Sequence, residues 1–199
     1  MKQGKIAESV LKRSVFKQLH LKRPDVLLAA GIGEDCAAFA VAEDEVAVIS
    51  ADPVIWEDSL DGRCAVHANL NDLAAGGAEP VGLMLTALLP PEIEEAQMRQ
   101  MVQMIVQECE PLQVQILGGH TEVTDAVKRP VVSIAAVGKA KKGMLSTTTG
   151  AKPGDDIVVT KWIALEATAK LARSRREALL SRYPQHLLDD AERFQQYFS

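Results

Sequence analysis

The 199-residue chain is 47% hydrophobic and 25% charged, values of a folded globular protein and too apolar for a disordered one. Aromatic residues make up only 4%, so the core is expected to be aliphatic, and little is available for stacking unpaired bases. Acids outnumber bases 27 to 22, giving a formal net charge of −5, which argues against a nucleic-acid partner.

Cys36, Cys64 and Cys109 form no CxxC pair, so neither a zinc knuckle nor a disulfide framework is suggested, and free thiols suit a reducing compartment. The first residues lead into an amphipathic stretch instead of an apolar signal core. No run approaches the ~18 apolar residues of a membrane span. A cytoplasmic protein with no membrane partner is the expectation.

Residues 6–19 place Val10, Leu11, Phe16 and Leu19 near one face of a helix. Gly31-Ile32-Gly33-Glu34-Asp35 is a glycine-rich turn ending in two acids. Residues 37–41 and 46–51 read as strands of a hairpin, the second stopping at Asp52-Pro53 and so placing Asp52 at a strand end. Residues 63–75 read as a helix with Val66, Leu70, Leu73 and Ala74 inward, stopped by Gly76-Gly77. The apolar run 81–89 predicts a buried strand.

Pro90-Pro91-Glu92 opens a second strong helix, whose core face is Met98, Met101, Val102, Ile105 and Cys109. Residues 114–117 form a short strand running into a turn at Gly118-Gly119-His120-Thr121, and residues 131–137 a further buried strand. The result is an α+β pattern with about five strands. Residues 139–154 read as a linker, 156–160 as a lone strand and 165–180 as an amphipathic helix. Too small for its own core, this tail must pack on the main domain or on a partner.

Several familiar sites are absent. No GxxxxGK[ST], HExxH or GxSxG occurs, and Cys36 stands where a dinucleotide fingerprint needs its third glycine. What remains is a set of acids in turns or at element ends: Asp35 after the glycine-rich turn, Asp52, and Asp72 beside Asn71. Asn71 and His67 are four apart and share a helix face, with Asp72 about 100° further round. Magnesium takes oxygen ligands, commonly one or two carboxylates plus water and phosphate. Taken singly, each acid reads better as a turn former or a surface residue than as a ligand.

In order along the chain, Gly33-Glu34-Asp35-Cys36-Ala37, Ser50-Ala51-Asp52, Asn69-Leu70-Asn71-Asp72-Leu73-Ala74-Ala75-Gly76-Gly77-Ala78-Glu79-Pro80 and Gly118-Gly119-His120-Thr121 resemble the aminoimidazole ribonucleotide (AIR) synthetase superfamily. The Asn-Asp-Leu-Ala helix ending in Gly-Ala-x-Pro is the most specific piece. The subfamily flavour is that of hydrogenase maturation factors and thiamine-monophosphate kinases. The resemblance implies an N-terminal α+β domain over residues 1–140, a mixed sheet with helices on one face that forms a barrel across a homodimer. Residues 141–199 would then be a linker and the truncated start of the second domain.

The resemblance also implies an ATP and Mg2+ site, with Asp35, Asp52 and Asp72 as metal ligands or near-ligands. Asn71, His67, Gly118, Gly119, His120 and Thr121 would line the nucleotide. His120 stands where the family has an acid, and neutral imidazole is a poor magnesium ligand beside carboxylate, so either Glu122 substitutes from two residues on or His120 contacts a phosphate instead. The ancestral chemistry is phosphoryl transfer to a small oxygen acceptor, a small molecule or a protein tail, left open here. The alternative is a non-catalytic nucleotide-binding or regulatory dimer whose active site has decayed.

Overall fold

A computed structural model describes residues 8–14, 16, 23–29, 31–34, 36–57 and 60–198. Asp35 therefore lies outside the described residues, as do residues 6, 7, 15 and 17–19 of the expected first helix, of which α1 (Glu8–Ser14) is seen. The α+β expectation holds, with one strand more than the sequence suggested. The strands are β1 (Val26–Leu28), β2 (Cys36–Ala40), β3 (Glu45–Ile55), β4 (Glu79–Leu89), β5 (Gln115–Val123) and β6 (Val131–Lys141). They form one mixed sheet in the order β1-β2-β3-β6-β4-β5, in which only β4 and β5 pair in parallel.

Two of the expectations nearest the candidate site differ from the structure, each for a local reason. β3 does not stop at Asp52 but continues to Ile55, with Pro53 opposite Ser133 of β6. Among the described residues β2 accompanies β3 only as far as Ser50, so there β3 is bordered on one side beyond that point, the setting in which a strand tolerates proline. Gly118-Gly119-His120-Thr121 is not a turn but the middle of β5. A bulge separates Leu83 from Met84 in its pairing with β4, and both glycines take φ of 151°. A Cβ on Gly119 would overlap the Leu85 carbonyl, so glycine lets the strand run on where any other residue would turn it aside.

Helices α2 (Leu60–Ala75) and α3 (Glu95–Cys109) cover one face of this sheet. Their shared core is aliphatic, with Leu73, Leu83, Ile134, Val46 and Val48 fully buried. α3 begins at Glu95, later than the Pro90-Pro91 signal, because the reciprocal Glu94–Gln97 capping box fixes its first turn. α2 is buried on most sides, which is why Asp61, His67 and Asn69 lie inside beside its apolar residues.

The tail forms α4 (Leu165–Ser174), α5 (Arg176–Leu180) and α6 (Gln185–Arg193), so the expected long helix breaks at Arg175. It packs on the main domain: Leu60 and Cys64 of α2 cluster with Ala169 and Phe198, and the Lys170 ammonium reaches Asp61 at 3.2 Å. Residues 156–160 pair with no strand among the described residues, and Ile157 is 96% exposed. One β-forming stretch without a neighbour has no ladder to join.

Candidate nucleotide and metal site

Two of the sequence motifs meet along the seam between β3 and α2. Inward-facing residues of β3 are Val46, Val48, Ser50, Asp52 and Val54, so one hydroxyl and one carboxylate interrupt an apolar stripe on the face that α2 covers. Ser50 Oγ donates to Asp72 Oδ2 at 2.6 Å. One turn earlier on the helix, Asn69 Oδ1 accepts the Asp52 backbone N–H at 3.1 Å, at the level where β2 has ended. Asn69 is wholly buried, and its own amide is fixed by donating to the Ala65 carbonyl at 3.0 Å. Asp52 and Asp72, distant in sequence, are thus both tied to this seam, and both are half-buried.

Asp72 also borders a cleft of about 160 Å3 that Gly33, Glu34, Cys36, Gly76 and Thr148 help to line. Gly33 takes the left-handed conformation at φ 78°, which turns the chain into β2. Cys36 Sγ donates to the Asp72 carbonyl at 3.2 Å, and Thr148 Oγ1 donates to Glu34 at 2.5 Å. The glycine-rich turn, the C-terminal end of α2 and the segment after β6 are therefore drawn together at one end of the sheet. Ser50 and Asn69 carry this arrangement, yet neither was among the candidate site residues. The signal was a polar residue on the inward parity of a valine-rich strand.

The β5 residues divide between the two faces. Asp52 pairs with Ile134, Ile134 with Leu85 and Leu85 with Gly119, so Gly119 and Thr121 share the helix-covered face with Asp52. Gly118, His120 and Glu122 have the opposite parity and face away. His120 Nε2 lies 3.3 Å from Glu122, both exposed. Within one chain, Glu122 does not converge with Asp52 and Asp72. Among the described residues no group of three or more His, Cys, Asp and Glu is arranged to hold a metal ion.

His67 and Asn71 share the outer face of α2, as their spacing implies, and there they meet the tail. Asn71 Nδ2 donates to the Phe198 carbonyl at 2.7 Å. His67 Nε2 sits 2.9 Å from Glu108 of α3. Burial lowers the His67 pKa below its usual 6.5, outweighing the carboxylate that favours its charged form. Beside them, burial pushes the Cys64 thiol up to about 12, which makes it a packing residue and not a nucleophile.

Comparison with known proteins bears on the family and the fold. The chain is 27% identical over 166 residues to a putative hydrogenase expression/formation protein of Methanocaldococcus jannaschii, covering 79% of this chain and 48% of the relative. It is 33% identical over 154 residues to thiamine-monophosphate kinase of Escherichia coli, covering 73% and 45% respectively. The chain thus spans about half the length of the curated relatives it matches. Among solved structures, AaThiL complexed with AMPPCP and TMP superposes with a TM-score of 0.69 at 18% identity, over 98% of this chain and 65% of that one. Residues 33–140 match the family described as AIR synthase related protein, N-terminal domain, and the chain belongs to that family.

Proposed function

We propose that this chain binds ATP with magnesium and contributes the nucleotide site of an ATP-dependent phosphoryl-transfer protein acting on a small oxygen acceptor. The observation that carries this reading is the 2.6 Å bond from Ser50 to Asp72, which brings the acid of α2 onto β3 two residues from Asp52. The donor set is oxygen-rich and suits magnesium. The cleft beside Asp72 is smaller than the several hundred Å3 usual for a whole cofactor site, so it fits the ion and the phosphate end of a nucleotide. Asp52 and Asp72, with Asp35, would hold the magnesium, and Gly119 and Thr121 would border the nucleotide. When bound, the ion supplies charge neutralisation on the transferred phosphoryl group.

A homodimer belongs to this reading, because His120 and Glu122 reach a shared site only if the face they occupy meets a second copy. The three free thiols fit residence in the cytoplasm. A non-catalytic binding role is the second reading, favoured by His120 standing, paired with Glu122, where an acid would be expected.

Calorimetric titration with Mg-ATP tests the binding. Saturation at micromolar to millimolar nucleotide is expected, weakened at least about tenfold by Asp52→Asn and by Asp72→Asn, the loss of one good ionic contact. Failure to bind at millimolar Mg-ATP sinks both readings. Binding without phosphate release, with thiamine monophosphate or any other acceptor added, selects the second.

A further inference from the structure

The cleft beside Asp72 lies between two segments that are held very differently. One is the glycine-rich turn, residues 31–34, which leads into β2; the other is the stretch after β6, of which residues 146–148 line the cleft. The first part of that stretch is anchored. Leu145 packs against the aliphatic core, and the Ser146 N–H donates to the Gly76 carbonyl at 3.1 Å. The Met144 carbonyl lies over Gly77 so closely that a Cβ there would overlap it.

Beyond Ser146 the attachment changes. Thr148 and Thr149 are exposed, and the Gly150 N–H bonds only within the segment, to the Thr147 carbonyl at 3.1 Å. What joins this part to the opposite wall is the Thr148 hydroxyl, which donates to Glu34 Oε1 at 2.5 Å. The ionised acceptor makes that bond short. It is also exposed, so water competes for both partners and opening it costs little.

Gly150 ends the segment at a place where nothing in the fold requires glycine. A Cβ there would meet nothing within 4 Å, and the residue is outside the left-handed region. Gly77 and Gly33, by contrast, are fixed by close approach and by a φ of 78°. Backbone freedom is what glycine still supplies at position 150.

We propose that residues 147–149 form a gate beside Asp72, latched by Thr148 on Glu34 and hinged at Gly150, that opens to admit the phosphate end of a ligand. The nature of that ligand rests on the nucleotide reading above, whereas the opening does not. A ligand that enters only the open form binds more weakly in proportion to the fraction of chains that are closed. Cutting the latch therefore tightens binding, and stiffening the hinge weakens it.

Cys36 lines the same cleft and reports on the gate. Cys64 and Cys109 are 3% and 2% exposed, so in the folded chain 5,5′-dithiobis(2-nitrobenzoate) reaches Cys36 first. Thiol release is followed in the full chain for the wild type, Thr148→Val and Gly150→Ala, with Cys36→Ser identifying the Cys36 signal. Thr148→Val keeps the shape and removes the hydroxyl, and is expected to speed labelling about fivefold. Gly150→Ala fits the closed form and restricts the open one, and is expected to slow labelling about two- to threefold. General loosening would speed both, so the opposite signs carry the test. Equal rates in the three proteins, faster labelling of Gly150→Ala, or release of all three thiols in one phase would overturn the gate.

Mg-ATP calorimetry on the same proteins separates the two readings. Kd is expected to fall for Thr148→Val and to rise for Gly150→Ala by the factors seen in labelling. Opposite shifts in labelling where ATP does not bind leave the gate standing and remove the nucleotide site. ATP binding with a Kd unmoved in both variants overturns the gate as the ligand's way in.

Discussion

His67 shows how much one buried side chain of this fold can report. It is 4% exposed, and its Nε2 faces Glu108. Burial depresses its pKa below 6.5, so the folded chain resists a proton that the unfolded chain accepts. Below that value the unfolded state binds more protons, and stability must fall with acidification until pH drops beneath the folded pKa. The contribution is therefore fully present above about pH 7 and is withdrawn below it. Urea unfolding at a series of pH values from about 7 to about 5 should show a steeper loss in the wild type than in His67→Gln. Equal slopes would mean that the pair with Glu108 offsets burial completely. Gly119 is the complementary case, a residue defined by what it lacks: its φ of 151° and its closeness to the Leu85 carbonyl reserve the position for glycine.

At the scale of elements, α2 and β3 form the unit on which the candidate site depends. Asn69 joins them through one side chain, accepting from the Asp52 N–H and donating to the Ala65 carbonyl. Truncation strands a half-buried N–H at the end of a paired region and leaves a small cavity in a fully buried place. Asn69→Ala should destabilise the chain by about 2–3 kcal/mol, read from the urea midpoint, and should weaken Mg-ATP binding with Asp52 and Asp72 both intact. Unchanged stability would show that water replaces the amide. Much of this unit was legible beforehand. Val66, Leu70 and Leu73 on the apolar face of the helix and the divergence of Asp72 from His67 and Asn71 follow from 3.6-residue periodicity, and the stop from Gly76-Gly77, whereas Ala74, expected inward, is exposed at the last turn. The Asp52 boundary was not legible, because Pro53 reads as a break unless it is known that β2 has already ended at Ser50. The Gly118-Gly119 pair misleads for a related reason. Glycines at a bulge and glycines at a turn have the same local signature, and the neighbouring strand decides between them. β1 is only three residues long, and the cleft beside Asp72 is assembled from four separate segments, so neither leaves a periodic trace.

For the molecule as a whole, the decisive feature is the sheet face opposite α2 and α3, which no helix covers among the described residues. A solvated face of an antiparallel sheet normally alternates to polar residues outside. Here the outward positions of the central strands include Ile49, Ala51 and Ile55 of β3, Ala135 and Val137 of β6 and Met84 of β4, with Ile55 52% and Met84 44% exposed. Such a face calls for a second layer. In the homodimer proposed above, a second copy would supply one by symmetry, since the same patch then serves both partners, and it would carry His120 and Glu122 from an exposed strand into the interface. Light scattering during size-exclusion chromatography at tens of micromolar should therefore return a dimer. Replacing Ile55 and Met84 together by glutamate should convert it to a monomer while leaving its circular dichroism unchanged, because both side chains already face solvent within one chain. If the nucleotide site is completed across the interface, that monomer should also lose Mg-ATP affinity although Asp52 and Asp72 are untouched. A wild-type monomer at that concentration would remove the dimer. A monomeric variant that keeps its affinity would place the whole nucleotide site on the helix-covered face of a single chain.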